Sequence, residues 1–263
     1  MRSVRLMKAF LRASIQEQTA YRFNFGLHVF SSLLALATGL IGLQVLFGRV
    51  ERVNGWDEAG TLAVLGVYLL IGSLRGLVIG PSLDSLGGMD GEVWQGAFDF
   101  TLLRPAPTQF LVSVRKWRVT ALFDLLLALG VLVLALLRLP AWPGMFDALT
   151  FGVALIAALG VVYAMLLAMT ALIFWSPGLL SLWVFDGIFQ LARFPLSLYP
   201  GWLKLVLTWV IPVGVITTLP AEALAGALDA PRLGALLAGS AALVVAASLM
   251  FRAGLRRYAS ASS

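Results

Sequence analysis

Charged residues are scarce in this chain of 263 residues, since Asp, Glu, Lys and Arg together make up 12% of it. Hydrophobic residues make up 60%. A soluble domain typically has about 25% charged and about 45–50% apolar residues. So little polar surface cannot cover a water-soluble globule of this size, and we therefore expect a bundle of helices in lipid.

Two further scarcities limit the chemistry that the chain can perform. Cysteine is absent, which excludes disulfides, thiolate catalysis and cysteine-ligated metal sites. His28 is the only histidine. A single histidine is too few for a histidine-based metal site, and nothing in the sequence indicates that it forms a Ser-His-Asp catalytic triad. We therefore expect His28 to be structural or interfacial. Without a clustered base, nucleophile or metal, an intramembrane lipid-modifying enzyme is not favoured.

The formal net charge of +6 does not indicate a nucleic-acid partner. The basic residues stand at the ends of apolar runs, where they orient helices against anionic lipid. No basic stripe interleaved with aromatic residues offers a groove for nucleic acid. We therefore expect membrane lipid, and no nucleic acid, as the partner of these charges.

Long hydrophobic runs make up most of the chain, and a helix needs roughly 20 apolar residues to cross the hydrocarbon core. We predict an all-α membrane protein with one domain, 1–263, and six spans at residues 23–47, 61–80, 119–137, 146–174, 179–199 and 233–251. Residues 1–22 predict an amphipathic helix on the membrane surface, with a disordered basic leader as the alternative. Pro212 and Gly214 interrupt the apolar segment 201–219, which favours a re-entrant outer segment over a seventh span.

Lys and Arg are distributed unevenly between the two sides that six spans define. The side of the two termini holds Arg2, Arg5, Lys8, Arg12, Arg22, Arg104, Arg115, Lys116, Arg118, Arg252, Arg256 and Arg257, and the opposite side holds Arg49, Arg52, Arg138, Lys204 and Arg232. Because short loops rich in Lys and Arg stay in the cytoplasm, we predict that both termini are cytoplasmic.

Residues 81–118, which we call the elbow, are a partly polar segment between the second and third spans. Within it, the run VWQGAFDFTLL places apolar residues at helical spacing. The predicted helical face consists of Val93, Trp94, Ala97, Phe98, Thr101 and Leu102. Arg104 and Pro105 end the predicted helix, because proline disfavours helix in the residue before it. Such a helix suits docking into a groove on a partner or lying on lipid headgroups, and the pattern favours neither.

Four ionisable residues fall within the predicted spans: Arg75, Asp124, Asp186 and Arg193. A charge at membrane depth is expensive and usually faces a bundle interior or water. These residues are candidates for the lining of a translocation path, or they pair with one another, for example Arg75 with Asp124. The positions of Asp124 and Arg193 near span ends favour a structural role for those two. An ion-coupled secondary transporter using Arg75, Asp124 and Asp186 is the alternative function.

The elbow sequence VWQGAFDFTLLRPAPTQFLV resembles the signature of ABC-2-type exporter permeases, in a subfamily of six-span proteins. The matching positions are Val93, Gly96, Asp99, Leu102, Leu103, Arg104 and Pro105. Residues 21–25 resemble the family's approach to its first span. Residues 194–224 resemble its fifth-span exit, and residues 254–261 resemble its C-terminal pattern. These likenesses occur in the family's order along nearly the whole chain.

The resemblance implies the transmembrane subunit of an ATP-driven exporter in a bacterial cell membrane. Such a subunit pairs with a second copy or a related permease and with two ATPase subunits at the cytoplasmic face. ATP and magnesium would be bound by those partners and no cofactor by this chain, which has no G-x-x-x-x-G-K-[ST] phosphate loop. The elbow would be the coupling helix, formed by Val93, Trp94, Gly96, Phe98, Asp99, Leu102, Leu103, Arg104 and Pro105. Apolar walls with few charges suggest a small amphipathic compound, drug, peptide or lipid as substrate.

Overall fold

The computed structural model describes residues 2–19, 22–88, 90–176 and 181–258. The α-helices in these ranges are α1 (Arg2–Thr19), α2 (Arg22–Phe47), α3 (Glu58–Leu74), α4 (Gly80–Asp84), α5 (Asp99–Leu102), α6 (Thr108–Val114), α7 (Ala121–Arg138), α8 (Met145–Leu172), α9 (Ser181–Phe189), α10 (Gly201–Leu205), α11 (Val213–Leu224) and α12 (Ala230–Arg257). The predicted all-α membrane fold is confirmed.

The elements of other types are short. Strands β1 (Arg52–Val53) and β2 (Trp56–Asp57) form an antiparallel hairpin. Its turn residues Asn54 and Gly55 have φ angles of 48° and 86°, which the Asn-Gly pair accepts more readily than other residues. Two π-helical segments, Arg75–Ile79 and Val206–Val210, continue the helices before them.

Five helices in the described part of the chain are long and apolar enough to cross a membrane. They are Phe23–Phe47, Glu58–Asp84, Ala121–Arg138, Met145–Leu172 and Ala230–Arg257. Gly201–Val210 and Val213–Leu224 pass the same test together, but they are bent by 90° at the break between them. This bend fits a broken span as well as the predicted re-entrant segment. The described residues therefore supply five or six crossings.

The region of the predicted fifth span differs from a continuous helix. Residues 177–180, at its start, lie outside the described residues. Helix α9 then has only 9 residues and is followed by the 3-10 turns Gln190–Arg193 and Leu196–Leu198. Phe194 and Tyr199 are extended, with ψ angles of 153° and 149°. Each precedes a proline, which disfavours the helical conformation in the residue before it, so the helix cannot run to residue 199.

The long helices pack as two pairs joined by a short helix. Helix α12 lies along α8, α3 lies along α7, and α11 packs against both α8 and α3. The α8–α12 contact uses small residues, with Gly160 facing Ser240, whose hydroxyl donates to the carbonyl of Ala157 at 2.8 Å. Such residues let membrane helices approach closely. Among the described residues, helix α2 packs mainly against α3 and α7, each to a small extent, and leaves most of its apolar surface exposed.

The elbow, α1 and the end of α12 meet at one end of the bundle. The backbone N–H of Trp117 in the elbow donates to the hydroxyl of Ser14 in α1 at 3.2 Å, and elbow residue Phe98 contacts Tyr258 just beyond α12. The hairpin lies at the other end, where the Asn54 amide donates to the carbonyl of Ser197 at 3.0 Å. Ser14 of α1 and the end of α12 thus lie on the same side of the bundle as the elbow.

Candidate functional site

The elbow folds mainly as consecutive turns between residues 85 and 103, and the helix predicted there is shorter than expected. The helix expected from Val93 begins at Asp99 instead and ends at Leu102. Gly88 and Gly96 have φ angles of 82° and 73°, in the left-handed region that glycine adopts without steric strain. Because α-helix requires negative φ, Gly96 prevents the helix from extending back to Val93.

The turns are closed by backbone hydrogen bonds that fold the elbow onto itself. The N–H of Glu92 donates to the carbonyl of Ser85, and the N–H of Phe98 donates to the carbonyl of Glu92, both at 3.0 Å. A Cβ atom at Gly91 would lie 2.5 Å from the carbonyl oxygens of Leu86 and Gly87. Only glycine fits at this close approach, so the elbow has a defined compact structure.

The residues predicted to share one helical face are divided between the interior and the surface. Val93, Phe98 and Thr101 are buried, and Phe98 is 0% exposed. Trp94, Phe100 and Leu103 are 54%, 71% and 80% exposed; we call these three residues the docking face. Leu102, Arg104 and Pro105 are also exposed. The predicted face does not include Phe100, although a residue seven positions after Val93 falls on the same side of a helix.

Phe98 anchors the elbow through a cluster of four aromatic rings. Its ring centroid lies 5.5 Å from that of Phe174, which follows α8, and 5.3 Å from that of Tyr258, which follows α12. Phe174 also contacts Phe251 of α12, with centroids 5.4 Å apart. Tilted and edge-to-face arrangements of this kind are favourable for aromatic pairs. These ring contacts connect the elbow to the ends of two long helices.

An ion cluster holds two parts of the elbow together. Arg115 donates to both carboxylate oxygens of Glu92 at 2.5 Å and to the hydroxyl of Thr101 at 2.6 Å. The ammonium of Lys116 lies 3.2 Å from the same carboxylate. Burial raises the pKa of Glu92, but the hydrogen bonds and charges of Arg115 and Lys116 outweigh it, so the net pKa lies below its usual 4.5. Glu92 is consequently ionised at neutral pH, as this cluster requires.

The Asp99 carboxylate of α5 lies near the Tyr258 hydroxyl and affects its pKa. Burial, reinforced by the neighbouring Asp99 carboxylate, raises the pKa of the Tyr258 hydroxyl to about 12. The hydroxyl therefore stays protonated beside the carboxylate. Asp99 is thus directed towards the end of α12, on the same side as the Phe98 ring.

Among the ionisable residues of the predicted spans, Arg75 pairs with Asp186. Their side chains lie 2.5 Å apart, and the Arg75 guanidinium lies 4.8 Å from the centroid of the Phe185 ring. The suggested pairing of Arg75 with Asp124 is wrong. Arg75 lies in the π-helical segment after α3 and Asp186 in α9, so this ion pair links the second span to the predicted fifth.

Asp124 has other partners. Its carboxylate lies 3.0 Å from Nε2 of His28 and accepts a hydrogen bond from the hydroxyl of Ser32 at 2.5 Å. These contacts connect α7 to α2, which has few other contacts with the bundle. The structural role expected for His28 fits this position.

Asp124 and Arg193 line a common cavity of about 360 Å³. We call it the Arg193 cavity, and its lining consists of Ser31, Ser32, Ala35, Leu36, Tyr68, Leu69, Gly72, Ser73, Asp124, Leu127, Phe189 and Arg193. Arg75 and Asp186 are not part of this lining. Of the four ionisable residues predicted as candidates for the lining of a path, Asp124 and Arg193 line this cavity. The sequence does not single out Tyr68 and Phe189, because aromatic residues within apolar spans carry no signal of their own.

Aromatic contacts shape one wall of the Arg193 cavity. Tyr68 and Phe189 stack with ring centroids 5.1 Å apart. The guanidinium of Arg193 lies 5.5 Å from the centroid of the Tyr68 ring, within the range of a cation–π interaction. No three His, Asp or Glu side chains in the described residues gather as ligands for a metal ion.

Comparison with known proteins identifies the family. No curated protein and no solved structure matches the chain. A family model described as ABC-2 family transporter protein matches residues 33–262, which include the whole elbow and most of the Arg193 cavity. Proteins of this family are multi-pass membrane subunits that associate with separate ATPase subunits. Because the match covers most of its length, the chain belongs to the ABC-2 family of transporter proteins.

Proposed function

We propose that this chain is the permease subunit of a bacterial ATP-driven exporter and that its elbow receives the motion of two ATPase subunits. It pairs with a second copy or a related permease in the cell membrane, with both termini in the cytoplasm. ATP and magnesium are bound by the ATPase partners. The substrate is a small amphipathic compound, such as a drug, a peptide or a lipid.

The two-sided construction of the elbow carries this proposal. Its inner side is fixed to the bundle by Phe98, and the Glu92–Arg115 ion pair holds two parts of the elbow together. Its outer side presents the docking face, where Leu103 is 80% exposed. Large apolar side chains exposed within one short segment suit an interaction site, and tryptophan is enriched among the residues that dominate binding. A segment that is rigid towards the bundle and apolar towards the outside suits the transfer of motion from a partner.

The Arg193 cavity supports the proposal that this chain forms a translocation path. It lies between α2, α3, α7 and the turn after α9, and its volume falls within the range of roughly 300–1,000 Å³ found for ligand sites. The nearby Arg75–Asp186 ion pair joins two of the segments that border it. A change in the relative position of these segments would open or close the cavity, as alternating access requires.

The decisive experiment is a mild-detergent pull-down of the tagged chain, co-expressed with its genomic neighbours, followed by mass spectrometry. Trp94→Ala and Leu103→Glu alter the docking face. Trp142→Ala is the matched control, because Trp142 is 70% exposed at the opposite end of the bundle. We expect an ATPase subunit with the wild type and the control, and a loss of about tenfold or more with the docking-face variants.

Two outcomes would contradict the proposal. Recovery of the chain alone, with its neighbours demonstrably expressed, would favour an ion-coupled secondary transporter. Undiminished ATPase recovery with Leu103→Glu would assign the docking face to lipid headgroups. Blocking ATP hydrolysis in vesicles that contain the complex must also abolish transport, whereas an ion-coupled transporter would continue to work on its gradient.

A further inference from the structure

We infer that the Arg193 cavity binds anionic amphiphiles, with Arg193 holding a carboxylate, phosphate or sulfonate group and the Tyr68–Phe189 wall holding the apolar body. The inference rests on the proposed function only where it treats this ligand as the transported substrate. The binding itself is a property of this chain.

Arg193 carries a charge that the described residues leave unbalanced. Its Nε is buried without a hydrogen-bond partner, and no ion pair among the described residues includes Arg193. The hydroxyl of the nearby Tyr199 is committed elsewhere, since it donates to the carbonyl of Leu191 at 2.6 Å. The Tyr68 ring is the contact that stabilises the guanidinium. Arg75, by comparison, has a carboxylate at 2.5 Å.

The position of Arg193 makes this charge costly. Tyr68 stands ten residues after Glu58, where α3 begins. At a rise of 1.5 Å per residue this is about 15 Å, or half the thickness of a hydrocarbon core of roughly 30 Å. The guanidinium over Tyr68 is therefore near mid-depth, too far inside to reach the headgroups. Ionisable residues at this depth face a cavity or a ligand path and call for a partner.

The second charge in the cavity has its partners already. The Asp124 carboxylate is held by His28 and by Ser32, so it does not depend on a ligand. A cationic ligand would instead bring a second positive charge towards Arg193. An anionic group placed beside Arg193 supplies the partner that this guanidinium lacks.

The remaining walls of the cavity determine which apolar group the ligand carries. Tyr68 and Phe189 present stacked rings, and Leu36, Leu69 and Leu127 add aliphatic surface. Apolar walls with a single unsatisfied polar group are typical of sites in which the polar group orients the ligand. The expected ligand is therefore small, with a flat apolar body and one anionic group.

Two fluorescent probes that differ only in the charged group test this inference. 8-Anilinonaphthalene-1-sulfonate carries a sulfonate, and N-phenyl-1-naphthylamine is the same ring system without it. Saturable binding is measured to the full chain in phosphatidylcholine nanodiscs, with protein-free discs subtracted. We expect the sulfonate probe to bind more tightly by about tenfold or more, the usual effect of a hydrogen-bonded charge. Equal affinity of the two probes for the wild type would overturn the inference, and this comparison needs no variant.

Substitutions then locate the anionic group. Arg193→Gln should weaken binding of the sulfonate probe by about tenfold and change the neutral probe by less than about twofold. Arg193→Lys should retain part of the preference. Arg138→Gln is the matched control, because Arg138 pairs with Glu58 at the other end of α7. Unchanged sulfonate affinity in Arg193→Gln would contradict the role of Arg193.

A cavity-filling substitution locates the apolar body. A Cβ atom at Gly72 would lie 3.7 Å from the Phe189 ring, an ordinary contact, so a larger side chain there would extend into the cavity. Gly72→Leu should therefore reduce saturable binding of both probes. If both bind Gly72→Leu as they bind the wild type, the site is elsewhere and the inference is wrong.

The source of the natural ligand can be read from the disc composition. If phosphatidylglycerol in the discs displaces the sulfonate probe, the cavity takes an anionic lipid. If the probe stays bound, the ligand is a free amphiphile of the same chemistry. Because no ATPase is present, failure of the sulfonate preference with intact ATPase recovery overturns this inference alone. Sulfonate binding without ATPase recovery overturns the proposed function alone.

Discussion

The rings of Phe98 and Tyr258 meet edge to face, with centroids 5.3 Å apart and planes at 88°. One residue lies in the middle of the elbow, and the other follows the last helix of the bundle. Their contact joins two segments that are 160 positions apart in the chain, so the elbow is an integral part of the fold.

Truncation of Phe98 should destabilise the protein. Phe98→Ala would leave a cavity within the aromatic cluster, and such changes cost about 3–5 kcal/mol in buried sites. Thermal unfolding in detergent, followed by tryptophan fluorescence, measures the effect. Trp94→Ala is the control in the same segment and should change stability by less than about 0.5 kcal/mol, since Trp94 is half-exposed. Equal melting temperatures for Phe98→Ala and the wild type would contradict the anchoring role.

The Glu92 carboxylate should make stability dependent on pH in the acidic range. Its pKa is lowered in the folded protein, so its contribution is complete above the unfolded pKa of about 4.5 and is lost as the pH falls through the folded pKa. Glu92→Gln should lower stability at pH 7 by about 1.5–3 kcal/mol, the range for hydrogen bonds to charged groups. The difference from the wild type should shrink on acidification. A difference that stays constant between pH 7 and pH 3 would show that the Arg115 contact is not electrostatic.

Gly254 should tolerate no larger residue. A Cβ atom there would lie 2.8 Å from the rings of Phe174 and Trp175 and 3.1 Å from the backbone carbonyl oxygen of Ala171. Gly254→Ala is expected to lower the melting temperature although alanine favours helix. Gly239→Ala, in the same helix with nothing within 4 Å of its Cβ, should leave the melting temperature unchanged or raise it. The same response of both variants would mean that α12 does not pack closely at Gly254.

Arg75 and Asp186 should be energetically coupled. A double-mutant cycle with Arg75→Gln and Asp186→Asn is expected to give a coupling energy of about 0.5–3 kcal/mol, as for residues in direct contact. The cycle is measured by unfolding in detergent. Additive effects of the two changes would show that the ion pair at 2.5 Å does not stabilise the fold.

The absence of cysteine makes the orientation directly testable. Trp142→Cys and Trp94→Cys each introduce a single exposed thiol at opposite ends of the bundle. In spheroplasts, a membrane-impermeant maleimide should label Trp142→Cys at once and Trp94→Cys only after permeabilisation. Labelling of Trp94→Cys in intact spheroplasts would reverse the predicted orientation and place the elbow outside.

Hydropathy predicted the long helices because each of them satisfies its own backbone hydrogen bonds in lipid. The structure extends the second predicted span from 61–80 to Glu58–Asp84 and keeps the same core. Hydropathy failed to predict the helix ends where other local signals, such as proline, opposed it. In the predicted fifth span, composition favoured a helix, but Pro195 and Pro200 act on the residues before them and end it.

The elbow and the charged pairs show a different limit. Helical spacing over residues 93–102 was real, but the positive φ of Gly96 depends on how the elbow closes onto Ser85 and Phe174. The choice of Asp186 over Asp124 as the partner of Arg75 likewise depends on the packing of segments distant in sequence. The backbone conformation of Gly96 and the partner of Arg75 are set by tertiary contacts, which a single sequence does not reveal.

Helix α11 has a consequence for the biosynthesis of this protein. Its 12 residues extend about 18 Å, too short for the translocon to release into lipid as an independent segment. The surfaces that it packs against belong to α3 and α8, and the ribosome completes both of these helices first. We therefore expect α11 to settle after α8 has been inserted, in a groove that nascent α3 and α8 have already formed. Helix α12 then packs along α8 as the last step of assembly.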